Sequence, residues 1–541
     1  MNYQEPQTVI AKRQTNAPFV VQVGGSVTLD DIHDVAVHRR EIVVAPDIVE
    51  LLRQGRRQLE DRLVDRQVIY GINTGFGGNS NLMIPDDQLE HHQENLLTFL
   101  TAGTGDFFSE EYVRAAQVMT LLALARGWSA VRPEIILSLV RHINAGIVPN
   151  VPQYGSVGAS GDLIPSSYIA SALCGRGEVR FDGQEMSAGD ALARTGIAPL
   201  RLLAKEGLAL VNGTRMMSGV GTVTLLRFET TFAAAVGALA LAVHALRASH
   251  EHYDARIHRA KGHPGQIAIA AVLREMLAGS PSAASSATRI RSDSNAGTVI
   301  SLDEGVQEIY SVRCAPQILG VVPESLEATR IVLEREAMSV NDNPLIDPET
   351  GDVLQGGNFM GNHVARVMDA LKIDMAMVAN HLHAIMANLM DSRFSRGLPN
   401  SLSPRLGVSQ GFKGMQISHT SLVAQIRHDS GPASVHTLAT EQFNQDIVSL
   451  GLHAAHGAAE IEVKLRNVVA MTLLAACQSV DLRGCADELA PASRDLYQAV
   501  RKISATLDED RPMDREIAAV ARAIVERTLP VPQIDMAADG H

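Results

Sequence analysis

Aromatic side chains are scarce in this sequence: one Trp, eight Tyr and twelve Phe make up 4% of 541 residues. A core of stacked rings is thereby excluded, and the 46% hydrophobic share points to an aliphatic, helix-favouring interior. Cysteine is scarcer still. Cys174, Cys314, Cys477 and Cys485 form no CxxC pair, so neither a zinc ribbon nor a disulfide framework is indicated, and a reducing cytoplasm is the simplest location. No tract of clustered Lys and Arg exists and the formal net charge is -13, which argues against nucleic acid as a partner. Residues 1–21 hold scattered polar and basic side chains and lack a signal-like apolar segment. The most apolar run, Phe232–Val243, is too short to span a bilayer and is followed by His244 and Arg247; it reads as a buried helix, with no membrane partner expected.

Familiar chemical signatures are missing too. VGASGD lacks the Lys of a phosphate loop, GVGTV at 219–223 lacks the third glycine of a dinucleotide fingerprint, and GASGD does not fit a GxSxG nucleophile elbow. The pairs His381/His383 and His453/His456 have no third convergent ligand, so no metal is expected. HRRE at 38–41 and DEDRPMDRE near the C-terminus read as solvated faces.

The length exceeds what one ordinary core supports, so regions that pack together are expected. Residues 1–20 read as a loose tail, and 21–205 as a smaller mixed N-terminal domain. There VTLDDIHDVAVHRREIVVAP suggests strand, helix and strand, 46–65 an amphipathic helix, 68–85 a Gly- and Asn-rich loop, and 177–186 a hairpin about an AspGly turn. From 206 to 480 long helical patterns dominate, over 216–250, 264–278, 318–338, 361–393 and 447–480. A C-terminal helical region at 481–541 includes 514–528. The fold class is therefore mostly α, a long central bundle beside a domain that carries the small-residue loop at 159–161.

That loop has a covalent possibility. In AlaSerGly the Gly161 nitrogen can attack the Ala159 carbonyl carbon when the backbone bends sharply, and loss of two waters, one with the Ser160 hydroxyl, leaves an exocyclic methylene. Gly161 leaves the attacking nitrogen unhindered, Ala159 adds little bulk, and Ser160 supplies the leaving hydroxyl.

Seven segments in order, YGINTGFG (70–77), GSVGASGDL (155–163), KEGLALVNGT (205–214), YSVRCAPQILG (310–320), NDNPLID (341–347), GGNFMG (356–361) and EQFNQD (441–446), resemble the aromatic amino-acid ammonia-lyases and aminomutases. The resemblance is nearest to the bacterial phenylalanine-using branch. It implies a methylidene-imidazolone (MIO) group formed from Ala159, Ser160 and Gly161, no external cofactor, a homotetramer, and a small aromatic amino acid as substrate. By the same resemblance Tyr70 is the base, Arg313 grips the substrate carboxylate, and Asn212 and Tyr310 stabilise developing charge. Leu208, Gln307, Glu441 and Gln445 match further pocket positions, and Phe359 packs near the ring. Phe99 and Leu100 match the pair that reads the substrate's aromatic end. An apolar pair suits an unsubstituted phenyl, whereas tyrosine-using members commonly carry HisLeu and histidine-using members SerHis. Lys413 in GFKGMQI also matches the phenylalanine-using branch.

The implied reaction is elimination of ammonia from L-phenylalanine to trans-cinnamate. An aminomutase giving a β-amino acid and a silent scaffold of the same fold are the alternatives. Arg215 stands where Ser is expected after NGT, Met338 where Asn usually precedes SVNDNP, and Asn362–His363 where GlnTyr is more usual. These departures bear on substrate preference and activity more than on fold.

Overall fold

The computed structural model describes residues 17–281, 299 and 307–536, so most of the expected N-terminal tail lies outside the described residues. The chain forms two compact units, each gathered from three stretches: 1–223 with 333–361 and 437–452, and 224–332 with 362–436 and 453–541.

The first unit opens with β1 (Phe19–Val21), which pairs in parallel with β2 (Ile42–Val44) in the register Phe19 to Ile42. The first strand thus precedes the VTLDD segment, and Phe19 and Val20 belong to the sheet rather than to a tail. Between the strands runs α1 (Leu29–Ala36), whose start is fixed by a reciprocal Thr28–Asp31 capping box. Then comes α2 (Pro46–Val64), with proline in its first turn, where a missing N–H costs nothing. Next are α3 (Leu89–Leu100), β3 (Thr104–Phe107), the almost wholly buried α4 (Glu110–Leu124) and α5 (Pro133–Ala145).

After β4 (Val148–Pro149), β5 (Pro152–Tyr154) pairs antiparallel with β3. Next, α6 (Leu163–Leu173) packs on α3 and on α8 (Glu206–Val211). The hairpin of β6 (Glu178–Phe181) and β7 (Gln184–Ser187), as expected around Asp182–Gly183, joins β4 in a three-stranded antiparallel sheet and leads into α7 (Ala188–Thr195). Beneath it lies an aliphatic cluster of Ile147, Val179, Leu192 and neighbours.

The second unit is helical. The chain enters it along α9 (Arg215–Ala245) and continues through Pro264–Leu277, Val321–Ala337, Asn362–Met390, Lys413–Asp429, Gly451–Arg483, Pro491–Ile503 and Asp514–Val525. The mostly α expectation holds, with ends shifted by a few residues. The helix beginning at Gly451 starts later than the pattern suggested, because Leu450 takes a left-handed φ of 53° and ends the preceding loop. Among the described residues α9 alone is long and apolar enough to cross a membrane, but 83% of its apolar window is buried, which makes it a core helix. All four cysteines are free.

Candidate active site

The Ala159–Ser160–Gly161 triad turns sharply just before α6. Ser160 has φ 53° and Gly161 φ 77°, both left-handed, so the three residues fold back on themselves. A Cβ at position 161 would overlap the Gly213 carbonyl, which leaves glycine as the residue that fits. The connection from α8 to α9 grips this turn. Asn212 Nδ2 donates to the Ser160 carbonyl oxygen at 2.7 Å, the Gly213 N–H donates to the same oxygen at 3.3 Å, and the Asp162 N–H donates to the Gly213 carbonyl at 2.8 Å. Asn212 is held in turn by the Asn343 N–H, which donates to its Oδ1 at 2.7 Å. From the loop before Gly451, Gln445 Nε2 donates to Ser160 Oγ at 3.2 Å.

Asp162, fully buried, accepts from the Ser156 hydroxyl at 2.8 Å and from the Met217 N–H at 2.7 Å. Burial pushes its carboxyl up to about 7 against those hydrogen bonds. The carboxylate therefore ties the first turn of α9 to the segment just before the triad.

Tyr70 begins the Gly-rich loop and is half-buried. Its Oη accepts from the Gly77 N–H at 2.9 Å, and Glu441 Oε1 accepts from the Gly78 N–H at 3.1 Å. The phenol is held above its ordinary value, first by burial and further by the Glu441 charge, while the Gly77 N–H works the other way. Phe76 stacks on His92 of α3 with ring centroids 4.1 Å apart, and His92 Nε2 lies 3.1 Å from the Thr74 carbonyl, so α3 anchors the loop. Fully buried Gln93 ties the loop to α8, donating to the Gly71 carbonyl at 3.0 Å and accepting from the Leu208 N–H at 3.0 Å.

Tyr70, the triad, Leu208, Asn212, Glu441 and Gln445 are thus linked within the first unit. Leu100 is buried in α3 at 7% exposure, while the adjacent Phe99 is 60% exposed. Phe359 sits half-buried in the turn before Asn362. Gln307, Tyr310, Arg313 and Lys413 belong to the second unit. There the Arg313 guanidinium lies 5.0 Å from the Tyr310 ring centroid, and its Nε donates to the Glu308 carbonyl. Exposed Lys413 donates to Gln410 Oε1 at 2.5 Å.

The sequence profile described as aromatic amino acid lyase matches residues 27–502. The chain belongs to the aromatic amino acid lyase family. A hal-like protein of Dictyostelium discoideum is 52% identical over 507 residues, covering 93% of this chain and 96% of its own. Histidine ammonia-lyase of Geobacillus thermodenitrificans is 38% identical over 502 residues, with the same two coverages of 93% and 96%. Among solved structures, tyrosine aminomutase from Streptomyces globisporus matches with a TM-score of 0.91 at 34% identity, over 96% of this chain and 100% of its own. Pantoea agglomerans phenylalanine aminomutase matches with 0.90 at 33% identity, over 94% and 99%.

Within this lyase chain, Gln93 and Asp162 are residues that motif reading missed. Gln93 carried a signal: it falls three, four and seven positions before Leu96, Leu97 and Leu100, on the apolar face of one helix. Asp162 is the one charge beside the run of small residues. Among the described residues, the donor atoms of His33, Asp34 and His38 lie within 4.8 Å of one another, but Arg40 stands 3.9 Å from the Asp34 carboxylate and supplies a cation there.

Proposed function

We propose that this family member eliminates ammonia from L-phenylalanine to give trans-cinnamate, using an electrophile formed from its own Ala159, Ser160 and Gly161. The left-handed turn of the triad, with the Ser160 carbonyl held by two donors, is the observation that supports it. In ring closure the Gly161 nitrogen bonds the Ala159 carbonyl carbon. The Ala159 oxygen leaves as water with the two N–H protons of Ser160 and Gly161, and Ser160 loses its α-hydrogen and hydroxyl as a second water. Asn212 and the Gly213 N–H, which donate to the Ser160 carbonyl oxygen, would hold that oxygen in the ring, and the methylidene-imidazolone would supply an electrophile that makes the substrate amine a better leaving group.

The chain's own residues do the rest. Tyr70 takes the β-proton of the substrate, Leu208 lines the pocket beside the Tyr70 loop, and Arg313 binds the carboxylate. Several large apolar side chains stand exposed, among them Phe99, Tyr310 at 70% and Phe443 at 79%, which supports a homotetramer whose subunits cover these faces and complete each site. The apolar Phe99–Leu100 pair supports a phenyl ring over a phenol or an imidazole, since a buried polar group without a partner costs about 1–3 kcal/mol. The names of the two solved relatives favour a second reading, an aminomutase that returns ammonia to the β-carbon.

Incubation of the purified protein with L-phenylalanine, L-tyrosine and L-histidine separately, with products identified by mass and chromatography, tests this. Cinnamate as the fastest-formed product is expected. β-Phenylalanine as the main product would select the aminomutase, and turnover of histidine alone would overturn the substrate assignment.

A further inference from the structure

Arg215 occupies the first position of α9 and is fully buried, a costly place for a cation. The N-terminus of a helix already carries partial positive charge, so a guanidinium there gains nothing from the helix dipole. Burial lowers its affinity for the proton to a pKa of about 10, with Asp342 opposing the change. Lys205 takes the closer claim on that carboxylate, at 2.8 Å from Asp342 with both side chains buried. One guanidinium nitrogen, Nη2, finds no acceptor among the described residues. A serine, as the family pattern leads one to expect here, would incur none of this.

What the guanidinium does make is specific. Its Nη1 donates to the Ala209 carbonyl at 2.6 Å and to the Leu210 carbonyl at 3.3 Å, and its Nε donates to Asn341 Oδ1 at 3.2 Å. The two carbonyls belong to the last turn of α8, where no intrahelical N–H remains to meet them. Arg215 thus closes the end of α8 from the start of α9 and pins the intervening Asn212–Gly213–Thr214. Those are the residues that meet the triad: Asn212 and Gly213 both donate to the Ser160 carbonyl, and Gly213 accepts from the Asp162 N–H. Lys has a single point of donation on a flexible stem and cannot reproduce this fork.

We propose that Arg215 is a positioning residue for formation of the electrophile, holding Asn212 and Gly213 against Ser160 so that the Gly161 nitrogen is kept at the Ala159 carbonyl. The proposal rests on the ring-closing reading of the triad. Its effect falls on the covalent state of the chain before any substrate is met.

The test is the intact mass of Arg215→Lys and Arg215→Met, sampled over time after expression, beside wild type, with circular dichroism and size-exclusion chromatography to establish folding. Wild type is expected to be two waters light. A folded Arg215 variant is expected to close the ring at least tenfold more slowly and to accumulate at the full encoded mass. A folded variant that loses both waters at the wild-type rate overturns the proposal, while a wild type at full encoded mass overturns the ring-closing reading itself. Should neither Arg215 variant fold, Asn341→Ala removes the Nε acceptor together with a 3.2 Å hydrogen bond to Ser339 Oγ, and Ser339→Ala, which removes only the latter of these two, is the control; closure slowed in Asn341→Ala and not in Ser339→Ala supports the role, and wild-type closure in Asn341→Ala overturns it.

Discussion

Glu441 lies against Gly77, whose own N–H donates to the Tyr70 hydroxyl oxygen; a Cβ on Gly77 would overlap the Glu441 carboxylate. Gly77 has φ 52°, so a side chain there is strained by the backbone as well as by its neighbour. Gly77→Ala should therefore displace either the loop or Glu441 and lower kcat by about tenfold or more, from a misplacement worth about 1.4 kcal/mol or above. The variant should still weigh two waters less than its own encoded mass, because the triad is held by other residues. Unchanged kcat would show that this contact does not position Tyr70.

The Glu441 charge adds to the burial that holds the Tyr70 phenol high. If Tyr70 is the base, turnover rises with pH as the phenol ionises. Glu441→Gln removes a negative neighbour, so the Tyr70 pKa falls and the rising limb of the kcat profile moves to lower pH. Tyr70→Phe should keep substrate binding and lose turnover. A profile that does not move in Glu441→Gln, together with an active Tyr70→Phe, would remove Tyr70 from the reaction.

Phe99→His offers a polar partner for a para-hydroxyl. The ratio of kcat/KM for tyrosine over phenylalanine should rise about tenfold, the equivalent of one hydrogen bond near 1.4 kcal/mol. An unchanged ratio in a folded, dehydrated variant would mean that this side chain does not meet the substrate ring.

His142 on α5 is fully buried, and neither ring nitrogen has a hydrogen-bond partner among the described residues. Burial lowers its pKa from 6.5 to about 4. The unfolded chain therefore binds a proton between these values while the folded chain does not, so stability present above pH 6.5 is lost as pH falls toward 4. At most about 3 kcal/mol is at stake, from 1.36 kcal/mol per unit. Denaturant titrations at pH 7.5 and 5 should find His142→Leu more stable than wild type, with the larger gain at pH 5. An equal gain at both pH values would show that His142 does not titrate on unfolding.

Much of this was legible in sequence because it depends on neighbours along the chain. The aliphatic Phe232–Val243 run points to a buried helix and Asp182–Gly183 to a hairpin turn, and the motif segments that carry Ser160 and Asn212 come into contact. What escaped depends on residues distant in sequence. Glu441 and Gly78 are 363 positions apart, and the buried Lys205–Asp342 pair and the fork of Arg215 exist only once α8, α9 and the 341–343 segment are packed. The β1 strand lies earlier in the chain than local pattern places it, because its pairing with Ile42–Val44 defines it. Phe99 was expected to face a pocket and is exposed in the single chain, since a helix pattern locates a face without saying what covers it.

The most direct measurement of the central claim is the intact mass of the purified wild-type chain and of Ser160→Ala. Wild type should weigh two waters less than its encoded sequence, and Ser160→Ala, which has no hydroxyl to lose, should not show that loss and should be inactive on L-phenylalanine. A wild type that turns over substrate at its full encoded mass would contradict the account.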